Sequence, residues 1–202
     1  MKTKNALLRD STREYLATVA ADTSLEDIEQ QLLAVIKDNI YDHNHSFRTA
    51  YKVPDRLDNP IIADVILQLY NIVNIDANPD GESETMLAVY DSDPDSRDYG
   101  LYVPANDIIA DAVRKLNYLA KQYDIKEVIN SIKQMAPVSY LTIDKDLVPV
   151  ANGVFDYSTK TLHPFSPEKY VFLGKISVPF DPDATNPEFA FDTDDGEIIF
   201  NF

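Results

Sequence analysis

Apolar residues recur at helical spacing through most of the first half of the chain. Leu7, Leu8, Tyr15, Leu16 and Val19 form a loose stripe over residues 4–20. Ser24 stands where an N-cap belongs, with Asp27 three residues on. Behind it Leu25, Ile28, Leu32, Val35 and Ile36 fall on one face of a second helix. Residues 41–58, YDHNHSFRTAYKVPDRLD, show no clear period and contain Pro54, which predicts a loop or a broken short helix. Asn59-Pro60 reads as an N-cap and first-turn pair. The stripe of Ile61, Ile62, Val65, Ile66, Leu69 and Tyr70 then predicts a helix over 59–73.

Residues 76–85, DANPDGESET, read as a turn-rich linker. MLAVYD and YGLYVP bracket the polar DPDSRD, the pattern of a β-hairpin with a long connection. Asn106 or Asp107 starts another helix, in which Ile108, Ile109, Ala112, Val113, Leu116, Leu119 and Tyr123 repeat at three and four. Val128, Ile129, Ile132 and Met135 carry helical spacing on to Pro137. Beyond it the period changes to two. SYLTI is a short strand, and VPVA, Asn152-Gly153 and VFDY form the strongest local hairpin signal, read as a type I′ turn. Ser158-Thr159-Lys160 turns the chain again into TLHPF, completing a three-strand meander, and YVFLGKISVPF continues as extended chain. The predicted class is α+β: a helical N-terminal part, a β-hairpin, two helices and a small antiparallel meander.

Composition narrows the chemistry. The 202 residues carry 34 acids against 18 bases, a net charge of −16. Residues 76–98 hold eight acids against Arg97 alone, and residues 176–202 hold seven acids and no base. A surface that grips phosphates needs clustered Lys and Arg, so these stretches should repel nucleic acid, while a local basic groove elsewhere stays open. A chain this long buries about 70% of its unfolded surface, enough for a real core. With no Cys there is no disulfide framework, Cys-ligated zinc or thiol nucleophile. No apolar run reaches the roughly 18 residues of a membrane span, and MKTKNALLRDSTREY lacks the apolar core of a secretory signal. The expected location is cytoplasmic.

Catalytic motifs are sparse. None of the five glycines, Gly81, Gly100, Gly153, Gly174 and Gly196, forms a P-loop, and Gly174-Lys175 is followed by Ile176. Asp91, Asp93 and Asp95 have the first three spacings of a calcium loop, but Ser96 and Tyr102 stand where Gly and Glu belong, so an acidic hairpin tip is expected. Asp144 with Asp146, and Asp192 with Asp194, could each hold a divalent metal if they shared a strand face; a solvated loop is the competing reading. His43 and His45 would suit a metal only on a strand, and His163 is distant in sequence. No Gly-x-Ser-x-Gly elbow occurs. Neither a catalytic residue nor a metal or cofactor site is expected in this chain.

The most specific stretch is residues 148–187, VPVANGVFDYSTKTLHPFSPEKYVFLGKISVPFDPDATNP. Asn152-Gly153-Val154-Phe155-Asp156, then Leu162, Pro164 and Pro167, then Val178-Pro179-Phe180-Asp181-Pro182 and Ala184 follow in order. This pattern resembles the N-terminal accessory region of phage and plasmid primase–helicases of superfamily 3, a region also present in related poxvirus helicases. MLAVYD with YGLYVP, the helix over 106–123 and EVINSIKQMA sit in the family's order, so the resemblance spans residues 60–187. Ser158-Thr159-Lys160 departs from it, standing where the family often has Thr-Gly.

The resemblance implies a non-catalytic accessory domain that positions DNA, a primase or neighbouring subunits for a C-terminal ATP-driven motor not contained in these residues. ATP and Mg would belong to that motor, and the full-length parent would be a homo-oligomer in a bacterial host. The segments expected on this basis are a helical part over 1–75, an accessory domain over 76–187 and an acidic tail over 188–202. Asn152, Gly153, Asp156, Pro164 and Pro167 would be architectural. Lys160, Lys169 and Lys175 are candidates for a weak, salt-dependent DNA contact or are solvated surface lysines. Two other readings compete: an acidic binding or inhibitor protein that mimics DNA, and a small metal-dependent nucleotidyl transferase built on one Asp pair.

Overall fold

The computed structural model describes residues 2–20, 22–76, 85–184, 188–193 and 196–201. The expected linker over 76–85 lies, apart from its ends, outside the described residues. The chain forms two compact units, Met1–Ile143 with Ser166–Leu173, and Asp144–Phe165 with Gly174–Phe202.

The first unit opens with α1 (Lys4–Leu16) and α2 (Leu25–Phe47). Thr3 caps α1, and the Ser24 hydroxyl accepts the Asp27 N–H of α2 at 3.1 Å. The chain over 41–58 departs from expectation, because α2 continues to Phe47 before Arg48 ends it in a left-handed conformation at φ 52°. The buried stripe runs on as Ile36, Ile40 and His43. A histidine sits where the eye looks for an aliphatic residue, its ring stacked on Tyr51 at 5.2 Å. α3 (Asn59–Leu69) has Asp58, not Asn59, at its N-cap. Asn59 is the first helical residue, and its amide donates to Glu127 Oε2 at 3.1 Å instead.

The expected helix over 59–73 is also cut short, because Ile72–Asp76 is strand β1. This strand is central in a four-stranded sheet ordered β3-β2-β1-β4, where β2 is Thr85–Tyr90, β3 Tyr102–Pro104 and β4 Val138–Tyr140. It pairs antiparallel with β2 and parallel with β4. A strand covered on both faces loses its alternation, which is why its apolar run blends into the preceding helical stripe. β2 and β3 form the expected hairpin, with Tyr90 opposite Tyr102.

α4 (Asn106–Leu116) and α5 (Gln122–Met135) are separate helices. The helix expected over 106–123 breaks at Asn117, whose side-chain oxygen accepts the Leu119 N–H at 3.1 Å. The next helix is opened by Asp124, whose carboxylate accepts the Lys121 N–H at 2.8 Å. One core joins all five helices to β1 and β2. Leu32, Ile36, Ile40, Ile62, Val65, Ile66, Ile109, Leu116, Val128 and Ile132 are fully buried in it. Residues of the expected segments 1–75 and 76–187 therefore share a single hydrophobic interior. Asn74 on β1 is buried too, and its amide donates to the Lys133 and Ala136 carbonyls at the end of α5. Helix ends leave such carbonyls unpaired, so β1 carries its own C-cap for α5.

The second unit contains the expected meander, β5 (Leu147–Val150), β6 (Gly153–Asp156) and β7 (Thr161–His163), in sequence order. It also contains an antiparallel pair, β8 (Glu188–Thr193) and β9 (Gly196–Asn201).

Candidate functional site

The Asn152-Gly153 signature builds the meander by a different geometry from a type I′ turn. Val150 pairs with Gly153, so the two turn residues are Ala151 and Asn152 and Gly153 is already the first residue of β6. Asn152 does not adopt a positive φ. Gly153 does, at 153°, and a Cβ on it would run into the His163 carbonyl oxygen of β7. The glycine is required by close backbone approach between neighbouring strands as well as by its dihedral.

Asn152 has a separate task. Its amide nitrogen donates to the Phe180 carbonyl at 3.0 Å, and its amide oxygen accepts the Phe180 N–H at 2.8 Å. The side chain thus behaves as one more peptide unit of a strand. Upstream, the Ile176 N–H donates to the Pro149 carbonyl at 2.9 Å and the Ala151 N–H to the Val178 carbonyl at 3.2 Å. Residues 176–180 therefore run beside β5, parallel to it, and Asn152 extends the ladder past the point where the backbone turns away. Phe180 stacks on Phe155 at 4.3 Å. The Asn-Gly and Val-Pro-Phe parts of the signature are two halves of one contact.

Asp156 closes the β6–β7 turn. Its Oδ1 accepts the Ser158 hydroxyl at 2.7 Å, the Ser158 N–H at 2.8 Å and the Thr159 N–H at 3.2 Å. The Ser158 hydroxyl and then the Thr159 and backbone donors pull its carboxyl down to about 2, against the cost of desolvation. A carboxylate held ionised in this way is a poor general acid or base near neutrality. Lys160 ends the turn in a left-handed conformation at φ 58°, a backbone that glycine adopts without strain. Its ammonium lies 3.1 Å from the Tyr157 ring centre.

The remaining signature residues are divided between the units. Pro164 follows β7 in the second unit, and Lys175 lies there too, 5.4 Å from the Phe165 ring centre. Pro167 and Lys169 belong to the first unit. The Pro167 carbonyl accepts the Tyr102 hydroxyl at 3.0 Å, and the Phe172 carbonyl accepts the Tyr102 N–H at 2.9 Å. Residues 166–173 are thereby laced to β3 and to Thr142, whose hydroxyl accepts the Val171 N–H at 2.9 Å. Lys160 and Lys169 thus lie in different units.

The acidic motifs are turns. Asp91 Oδ1 accepts the Asp93 N–H and Asp93 Oδ1 the Asp95 N–H, each at 3.0 Å, while Ser96 donates to Asp91 Oδ2 at 2.5 Å. Asp144 and Asp146 do not share a strand: the Asp144 carboxylate accepts the Asp146 N–H at 3.0 Å just before β5. Asp192 lies in β8, and Asp194 is outside the described residues. His43 and His45 sit on α2 rather than in a loop, and residues two apart on a helix do not face each other. Thr49 donates its single hydroxyl proton to Asn44 Oδ1 at 2.7 Å, so His43 Nδ1, 3.1 Å from that hydroxyl, is the protonated ring nitrogen. His163 is 3.1 Å from Thr161 on β7. Among the described residues, no group of three or more His, Asp or Glu side chains converges to hold a metal ion. Among the same residues, no helix is long and apolar enough to cross a membrane.

Sequence reasoning missed the partnership between Asn152 and Phe180, which are 28 residues apart and meet only when the chain returns beside β5. A family model described as D5 N terminal like matches residues 20–194. The chain belongs to that family, the N-terminal domain of phage and plasmid primase–helicase proteins. No curated protein matches it in sequence.

Proposed function

We propose that this chain is a non-catalytic accessory domain of a phage or plasmid replication protein, positioning DNA or neighbouring subunits for a C-terminal superfamily 3 helicase motor. The observation that carries the reading is the family match over residues 20–194, in a sequence that has no phosphate-binding loop. The signature residues support it, because their polar groups are spent on turns and strand contacts rather than directed at a reactant. On this reading ATP and Mg bind the motor, the parent assembles as a homo-oligomer, and it works in the cytoplasm of a bacterial host. Lys160, Lys169 and Lys175 remain candidates for a weak contact with DNA.

The test begins with the reading frame downstream of codon 202, where a Gly-x-x-x-x-Gly-Lys-Ser/Thr sequence is expected. The polypeptide that carries it should lose strand separation, and retain ATP turnover, when residues 20–194 are deleted. The present chain alone should release no phosphate from ATP. Unimpaired strand separation by the deleted protein would refute the accessory role.

A further inference from the structure

Where the helical spacing over 106–123 predicts core, the structure places Leu119 and Tyr123 in solvent, and Tyr118, which that stripe does not include, is exposed as well. Tyr118 is 87% exposed, Tyr123 68% and Leu119 55%. All three lie at the corner between the helices, on backbone fixed by Asn117 and Asp124 and seated on the buried Leu116 and Ile125. The rings are therefore presented from hydrogen-bonded backbone. Large apolar side chains grouped on a surface mark a contact site more often than single ones do.

Charge identifies the occupant. Within residues 111–127 the chain carries Arg114, Lys115, Lys121 and Lys126 against Asp111, Asp124 and Glu127, a small local excess of bases in a protein of net charge −16. Lys115 is paired with Asp111 at 2.9 Å. Arg114, Lys121 and Lys126 are exposed and form no ion pair among the described residues. The nearby acids are engaged with protein donors: Asp124 accepts the Lys121 N–H, and Glu127 accepts the Tyr123 hydroxyl and the Asn59 amide. Exposed aromatic faces interleaved with unpaired cations match the two halves of a single-stranded nucleic acid, whose bases stack and whose phosphates are anionic.

We infer that the α4–α5 corner binds single-stranded nucleic acid without sequence preference, Tyr118 and Tyr123 stacking on bases and Arg114, Lys121 and Lys126 meeting phosphates. This deepens the replication reading above and rests on it. The acidic remainder of the chain makes the contact local and sensitive to salt.

The test is fluorescence anisotropy of the full chain with labelled dT30 and U30 at 50 and 200 mM salt. Three phosphate contacts give a salt slope of about −2, so affinity should fall about 20-fold across that range. Tyr118→Ala and Tyr123→Ala should each weaken binding about tenfold, the usual scale for losing one stacked base. Tyr118→Phe, which keeps the ring, should stay within about twofold of the native chain. All these side chains are exposed, so each variant should keep the native melting temperature. Equal binding of dT30 and U30 supports a base-and-phosphate contact, and a strong preference for one sugar overturns it as drawn. Binding that survives both alanine variants, or no saturable binding by the native chain, overturns the inference. So does self-association abolished by Tyr118→Ala, which would assign the corner to a protein contact. These outcomes are separate from the deletion experiment: unimpaired strand separation there, with dT30 bound here, would sink the accessory role and leave this site standing.

Discussion

Replacing Gly153 by alanine adds one methyl group and should destabilise the meander by about 3–4 kcal/mol. An L-residue held at positive φ costs about 1–2 kcal/mol. The methyl meets the His163 carbonyl oxygen, which is backbone and cannot rotate aside, and the Leu162 side chain at 3.2 Å. Relief therefore requires β6 and β7 to separate where Val154 pairs with His163. One lost strand hydrogen bond contributes about 1 kcal/mol, and overpacking adds a term of about 1 kcal/mol or more. Because the chain has two compact units, the assay must resolve them. Residue-resolved urea unfolding by NMR does so, comparing amides of Val154 and Phe155 with those of Ile62 and Val113. The midpoint of the first pair should fall in Gly153→Ala. Asn152→Ala is the companion: it removes both hydrogen bonds to Phe180, costs about 1–2 kcal/mol at the usual net value per bond, and should loosen residues 176–180 rather than β7. An alanine variant that unfolds at the native midpoint with the Val154–His163 pairing intact would refute the close-approach argument.

At position 160, Lys160→Gly should be more stable than Lys160→Ala by about 1 kcal/mol, because both lose the contact with Tyr157 and only glycine accepts the left-handed backbone freely; urea midpoints of the two variants check it. The Asp156 carboxyl sits below its unfolded value, held first by the Ser158 hydroxyl. Its contribution is therefore fully present above about pH 4 and is lost as pH falls towards 2, and Asp156→Asn should flatten that part of the pH–stability profile of the β6–β7 turn, followed by the Ser158 and Thr159 amide shifts.

The class of the protein and much of its local detail are written in the chain. Ser24 announces its helix, the stripe from Ile61 to Ile66 marks a buried face, and the order of Asn152-Gly153, Pro164, Pro167 and Val178-Pro179-Phe180 carries the family. These are short-range signals, set by backbone dihedrals and by which side of one helix or strand avoids water. Partnership over distance is a different matter. Ile72, Val73 and Ile75 suit a helix or a buried strand equally well, and pairing with β2 and β4 decides for the strand. Leu119 and Tyr123 have the spacing of core residues, yet Asn117 and Asp124 divide the helix and turn both side chains outward. Gly153 looks like a turn glycine until the His163 carbonyl crosses its missing side chain. Asn152 looks like the other half of that turn until residue 180 returns to meet it. The bonds of Asn117 and Asp124 are local; in the other cases the choice lies in a contact between separate strands or segments, which exists only once the chain has packed.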